Sequence, residues 1–171
     1  MKIKTIAALV IAVLLSSCQK ETYESIEVNG KLYVSGTDYI VLAKRLNFDN
    51  ATSAHVMEFF WYGCPHCQVF ENDLQAWLSQ LPVGIRFGRI PAVWNEAMFL
   101  HARAFYTARE LGLLDSIHNE LFVRIIANRS NKDLSTHRER IMVLFQQHGI
   151  PKHRFVTVFD SERITGQVQT G

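Results

Sequence analysis

Along this chain the apolar positions change period several times, and each change marks a different kind of element. The run "HVMEFFWYG" at 55–63 is β-branched and aromatic, interrupted by one acid and closed by Gly63. An apolar stretch of that length, bounded by a turn residue, predicts a buried strand. The next segment, "CPHCQVFENDLQAWLSQLP", carries Val69, Phe70, Leu74, Trp77, Leu78 and Leu81 at spacings of three and four. That predicts an amphipathic helix with two cysteines in its first turn, where Pro65 sacrifices no helical hydrogen bond. "PVGIRFGRIPAV" then returns to a strand pattern around Ile85 to Ile90.

From residue 94 onward the pattern is helical. "NEAMFLHARAFYTARELG" sets Met98, Ala102, Phe105 and Tyr106 on one face and stops at Gly112. "DSIHNELFVRIIAN" repeats the pattern with Ile117, Leu121, Phe122, Ile125 and Ile126. "DLSTHRERIMVLFQQHGIP" offers Thr136 and Glu139 as a capping box, Ile141, Leu144 and Phe145 as the apolar face, and Gly149 before Pro151 as the stop. A further helix begins near His153 with Phe155, Val158 and Phe159, and fades in "TGQVQTG", where Thr and Gly are weak helix formers. Residues 18–38 show no sustained period and read as a tether, with a turn at Asn29-Gly30 and a short strand near Tyr39 to Leu42. Strand, helix, strand and then several helices predict an α/β or α+β architecture with a helical subdomain.

The first 17 residues stand apart. "MKIK" is a short basic start and "TIAALVIAVLL" an apolar run too short for a comfortable membrane span, so 1–17 read as a secretory signal. "LSSC" at 15–18 resembles the lipobox of bacterial lipoproteins, which implies lipidation of Cys18 and anchoring to a membrane. The chain has 18 basic and 16 acidic residues, and removing Lys2 and Lys4 with the signal leaves 16 against 16. A near-neutral domain lacks the concentrated positive field a nucleic-acid partner requires. Arg138 and Arg140, and the histidines His101, His118, His137, His148 and His153, read as solvated helix-face residues.

Three cysteines in an exported chain are an odd count. If Cys18 is lipidated, Cys64 and Cys67 remain as a pair. A structural zinc needs about four ligands, and no second pair exists. Haem attachment wants a histidine directly after the second cysteine, where Gln68 stands. A bridge closing so short a loop removes little entropy from the unfolded chain and makes an inefficient staple. A redox role has a mechanism: unpaired N–H groups and the dipole at a helix start stabilise the Cys64 thiolate, and His66 adds a hydrogen bond or charge.

The segment "EFFWYGCPHCQVFE" resembles the active-site segment of DsbA-like thiol:disulfide oxidoreductases, in its C-P-H-C pair, the preceding Glu-Phe-Phe and the following Phe-Glu. The resemblance covers roughly residues 39–165. It implies a thioredoxin-like fold over 39–93, split by a helical insertion that takes up 94–171. It also implies a dithiol oxidase of the bacterial periplasm, with no cofactor beyond the Cys64–Cys67 disulfide. Reduced exported proteins would be its clients, and a membrane DsbB-like, quinone-linked oxidase would restore it. Cys64 would then be the exposed nucleophile, Cys67 the resolving cysteine and His66 the residue that tunes the potential. Glu58 would be the acid beneath the site that relays protons, since an acid flanked by Met57 and Phe59 in an otherwise apolar strand is expensive unless it has a partner or a proton; the alternative is an ordinary strand-end glutamate facing water. Trp61 and Tyr62, with Pro65, would line a surface for client chains, aromatic core packing being the alternative.

The same resemblance implies a second half of the thioredoxin fold after the insertion: a cis-proline loop facing the cysteines, two strands and a closing helix. No proline follows Pro151. The expectation is therefore a shortened fold in which the strand at 55–62 has an unpaired apolar edge. Two further readings stand beside the oxidase: a reductase or isomerase of the same fold, and a poorly active or inactive lipoprotein fragment that acts as a binding module.

Overall fold

The computed structural model describes residues 24–43 and 54–171. The signal reading of 1–17 and Cys18 lie outside them. The chain divides into two compact units, residues 1–47 and 48–171.

In the first unit, part of the stretch read as a tether is a β-hairpin, β1 (Ser25–Val28) paired antiparallel with β2 (Lys31–Val34). Asn29 and Gly30 form its two-residue turn with φ of 52° and 76°, the positive pair that matches the twist of the flanking strands. The turn was legible in the sequence, but the strands were not, because the alternation of Ile26 and Val28 with Ser25 and Glu27 spans only four residues and is not sustained beyond them. The strand expected near Tyr39 to Leu42 reduces to one isolated bridge between Ser35 and Tyr39.

The second unit begins with a βαβ motif: β3 (Ala54–Phe60), α1 (Pro65–Leu78) and β4 (Ile85–Pro91), with β3 and β4 parallel and Glu58 opposite Arg89. Among the described residues β3 pairs with β4 alone. β3 is not the fully buried strand its composition suggests, since Phe59 is 61% exposed and Val56 is exposed too. The face of α1 also differs from expectation. Val69, Phe70 and Trp77 are exposed, whereas Cys67, Glu71, Leu74 and Leu78 form the inward stripe.

Five helices follow: α2 (Glu96–Glu110), α3 (Leu114–Asn128), α4 (Leu134–Gln147), α5 (Lys152–Phe159) and α6 (Glu162–Thr170). The segment expected to fade is α6, where the Ser161 side chain accepts from the Ile164 N–H and Ile164 and Val168 bury one turn apart. Here tertiary burial overrides the weak propensity of Thr and Gly. At the start of α4 the cap is Asp133, whose carboxylate accepts from the Ser135 N–H at 2.9 Å and the Thr136 hydroxyl at 2.7 Å. The expected Thr136–Glu139 capping box therefore falls inside the helix.

The core lies among these helices, on Phe105, Ile117, Leu121, Phe122, Leu144 and Phe155, and reaches the end of β3 through Phe60 and Tyr62. The Phe60 ring meets those of Tyr62 and Phe105 edge to face, with centroids 5.0 and 5.6 Å apart. That aromatic seam fixes the end of β3, and with it the turn that carries the cysteines.

Candidate redox site

Cys64 is the N-cap of α1. Its backbone is extended (φ −96°, ψ 112°), and its Sγ accepts from the Cys67 N–H at 3.4 Å. A sulfur thus sits where a capping oxygen would, over the unpaired N–H groups of the first turn. Burial pushes the Cys64 thiol up, but the hydrogen bond from the Cys67 side chain and the backbone N–H groups of Cys67 and His66 outweigh it and hold the thiol below its ordinary value. His66 acts here through its backbone, and its side chain is exposed.

Cys67 moves the other way. Burial raises it, the Trp61 backbone N–H partly offsets that, and the neighbouring Cys64 and the Glu58 charge raise it further. Both cysteines are free thiols in this structure. The arrangement gives two sulfurs of unequal acidity at one helix start, the acidic one more accessible.

Beneath them, Glu58 is not a strand-end acid facing water. Its side chain is 9% exposed and accepts from Arg89 Nε at 3.0 Å, while Arg89 Nη2 donates to Glu71 Oε2 at 3.0 Å. Glu71 also lies 3.3 Å from His118 Nε2, and His118 Nδ1 lies 2.7 Å from the Tyr62 hydroxyl. A carboxylate only accepts, so His118 Nε2 carries a proton and donates to Glu71, while Nδ1 shares its hydrogen bond with the Tyr62 hydroxyl.

One guanidinium between two carboxylates leaves an excess negative charge. Burial and the Glu71 charge accordingly raise Glu58 above the usual carboxylate range, against the pull of Arg89. Burial also pushes Glu71 up, but the hydrogen bond and charge of His118, with Arg89 and Gln75, bring it below. Glu58 is thus the carboxyl that most readily holds a proton near the thiols.

Tyr62 does not line a client surface. It is 1% exposed, with its ring in the core and its hydroxyl on His118. Trp61 is half-buried, its indole N–H donating to His101 Nδ1 at 3.0 Å. Its ring covers Gly63 so closely that a Cβ there would clash with it, which is why glycine precedes the cysteine.

Three of the histidines read as solvated, His101, His118 and His137, are buried. His148 is half-buried on Glu120, and Arg138 is half-buried on Asp160. Sequence reasoning missed Glu71, Arg89 and these three histidines. A signal existed for several of them, since Glu71 is four residues from Cys67 and three from Leu74, and His101 falls between Met98 and Phe105 on the apolar face of α2. Among the described residues no group of three or more His, Cys, Asp or Glu is arranged to hold a metal ion, and no helix is long and apolar enough to cross a membrane.

No family profile matches the chain. It is similar to the thiol:disulfide interchange protein DsbA of Pseudomonas aeruginosa, 31% identical over 137 residues, which are 80% of this chain and 64% of that protein. Similarity to DsbA of Pseudomonas syringae pv. tomato is 31% over 163 residues, covering 95% of this chain and 72% of the relative. A crystal structure of a Pseudomonas aeruginosa DsbA variant superimposes with a TM-score of 0.69 at 30% identity, over 81% of this chain and 73% of the other. The chain thus spans a little under two thirds of the length of the first of these relatives.

Proposed function

Because this chain belongs to the DsbA family of thiol:disulfide interchange proteins, we propose that it is a thiol:disulfide oxidoreductase of the bacterial periplasm that hands the Cys64–Cys67 disulfide to exported proteins. The observation that carries this reading is the opposed acidity of the two thiols at the start of α1. A client thiolate attacks Sγ of Cys64, the Cys64–Cys67 bond breaks, and Cys67 leaves as a thiolate that takes a proton. A second client thiolate then attacks the client sulfur of the mixed disulfide and expels Cys64. The client departs with one disulfide, and the pair keeps two electrons as a dithiol.

Cys64 is the better leaving group because its thiolate is the stabilised one, which favours passing the disulfide on. Glu58, raised and close to Cys67, supplies and removes the proton of the less acidic sulfur. A membrane DsbB-like partner linked to quinone would take the two electrons and restore the disulfide.

We read residues 1–17 as the signal and Cys18 as an acylated anchor, supported by the apolar run, the small residues before Cys18, and a cysteine count that leaves 64 and 67 as a pair. The test begins with the full chain extracted from bacterial membranes. Oxidised protein should remove two thiols from a reduced client peptide per chain, and equilibration with glutathione should show a readily reduced disulfide. Intact mass should show acyl chains on Cys18. Untouched client thiols would refute the oxidase, a glutathione-resistant disulfide would favour the reductase reading, and an unmodified Cys18 would refute the anchor.

A further inference from the structure

The turn before the cysteines is tied into the helices by a row of aromatic rings. The Trp61 carbonyl accepts from the Cys64 N–H at 2.9 Å, and the Trp61 N–H faces the Cys67 thiol, so one residue touches both sulfur-bearing positions. Its indole N–H donates to His101 Nδ1 at 3.0 Å. His101 Nε2 lies 3.1 Å from His137 Nδ1, and His137 Nε2 lies 2.8 Å from the Asn131 carbonyl. Trp61, His101 and His137 are also stacked, with interplanar angles of 20° and 24° along the row.

The two ends of the row fix every proton in it. An indole only donates, so His101 Nδ1 must accept and its Nε2 must carry hydrogen. That hydrogen occupies His137 Nδ1, whose Nε2–H then goes to the Asn131 carbonyl. Both rings are neutral, and the row has no place for another proton. A proton on His137 Nδ1 sets two N–H groups against each other; a tautomer shift in His101 to relieve the clash sets another against Trp61.

We propose that His101 and His137 are positioning residues for the redox pair, acting through Trp61 by a hydrogen-bonded row that holds only while both rings are neutral. This rests on the oxidoreductase reading of the Cys64–Cys67 pair. Acid breaks the row and frees the indole, loosening the turn whose carbonyl and N–H serve the two cysteines. The surroundings keep the row closed at neutral pH. Burial, and the His137 charge once that ring takes a proton, push His101 down to about 3. Arg129, Lys132 and Glu96 line the cavity that Trp61, His101 and His137 border, and Arg124 and Arg140 line a second one beside His137.

The experiment follows the Trp61 indole N–H by NMR, with the resonance identified by its absence in Trp61→Phe. The glutathione equilibrium of the pair is measured on the same samples, from neutral pH down to the value of about 3 at which His101 takes a proton. In the unsubstituted chain the indole N–H should lose protection in one acid transition. Beyond the shift that protonation of the Cys64 thiolate produces in every variant, the equilibrium should move towards the disulfide by about three- to tenfold at the same midpoint, the scale one hydrogen bond sets. His137→Asn keeps an acceptor for His101 and removes the neighbouring imidazole that depresses it, so the midpoint of both changes should move while the neutral values stay close to those of the unsubstituted chain. Trp61→Phe should sit at the acid value already at neutral pH. An indole N–H indifferent to acid, or identical profiles in the unsubstituted chain and His137→Asn, would overturn the proposal. A chain that fails to oxidise clients yet shows the coupled transition would leave the row intact and remove only the oxidase.

Discussion

Cys67→Ala is expected to abolish client oxidation and turn Cys64 into a covalent trap. The two electrons taken from a client need both sulfurs, so a chain with one of them stores no disulfide. The remaining Cys64 thiolate, held below the ordinary thiol value by the donors at the start of α1, still attacks a disulfide offered to it. What is lost is escape, because Cys67 stands one helical turn away, its N–H already on Cys64 Sγ. Well-placed intramolecular groups reach effective molarities of about 10⁵ M and above, so the mixed disulfide should outlive that of the unsubstituted chain by at least about 10³-fold. Mass spectrometry of non-reduced samples should find client attached to Cys64 in Cys67→Ala and far less adduct in Cys64→Ala. Equal trapping by the two variants would contradict the assignment of Cys64 as nucleophile.

Arg89→Met should be the most destabilising change at the site. Arg89 is the shared cation of Glu58 and Glu71, with side chains 9% and 4% exposed, so its removal leaves two buried carboxylates facing each other. Breaking a buried pair in this way costs about 3–5 kcal/mol. The methionine keeps most of the packing on Phe87, over which the guanidinium lies.

The pH dependence separates charge from shape. Without Arg89 the folded-state value of Glu58, already raised by burial and the Glu71 charge, rises further above its unfolded one, so the folded protein holds more protons than the unfolded chain in that interval, and stability is regained as pH falls through it. Denaturant unfolding at neutral pH and in the carboxylate range should therefore show the deficit shrinking on acidification. A constant deficit would mean that lost packing, and not the unpaired carboxylates, is the cause. His101 works in the opposite sense in either chain. Its folded value of about 3 lies below its ordinary one, so its contribution to stability falls as pH drops through that window.

The parts of this account that were legible in the sequence are those set by local rules. The βαβ order follows from the change of period at Gly63 and after Leu81, and the cysteines fall at the helix start because Pro65 can only be tolerated there or at a break. Gly112 and Gly149 end their helices with φ of 68° and 82°. What was not legible depends on which neighbour an element meets. The inward stripe of α1 contains an acid, and the sequence cannot announce that Arg89 from β4 and His118 from α3 will satisfy it. The more apolar stripe, with Val69 and Phe70, was the natural choice and is exposed. His101 and His137 were assigned to solvent by residue type, although both sit in register with apolar positions and each finds the other's ring. Tyr62 belongs in the core because His118 offers its hydroxyl a hydrogen-bond partner there, a contact 56 residues away in sequence.

The most direct test of the central claim is the ionisation of Cys64, followed by thiolate absorbance or alkylation rate against pH on the reduced protein. The account predicts a midpoint clearly below the value of about 8.5 for a free thiol, with a second, higher midpoint for Cys67. A single midpoint near that of a free thiol, shared by both cysteines, would contradict it: the start of α1 would then hold two ordinary thiols, and the asymmetry on which disulfide transfer rests would be absent.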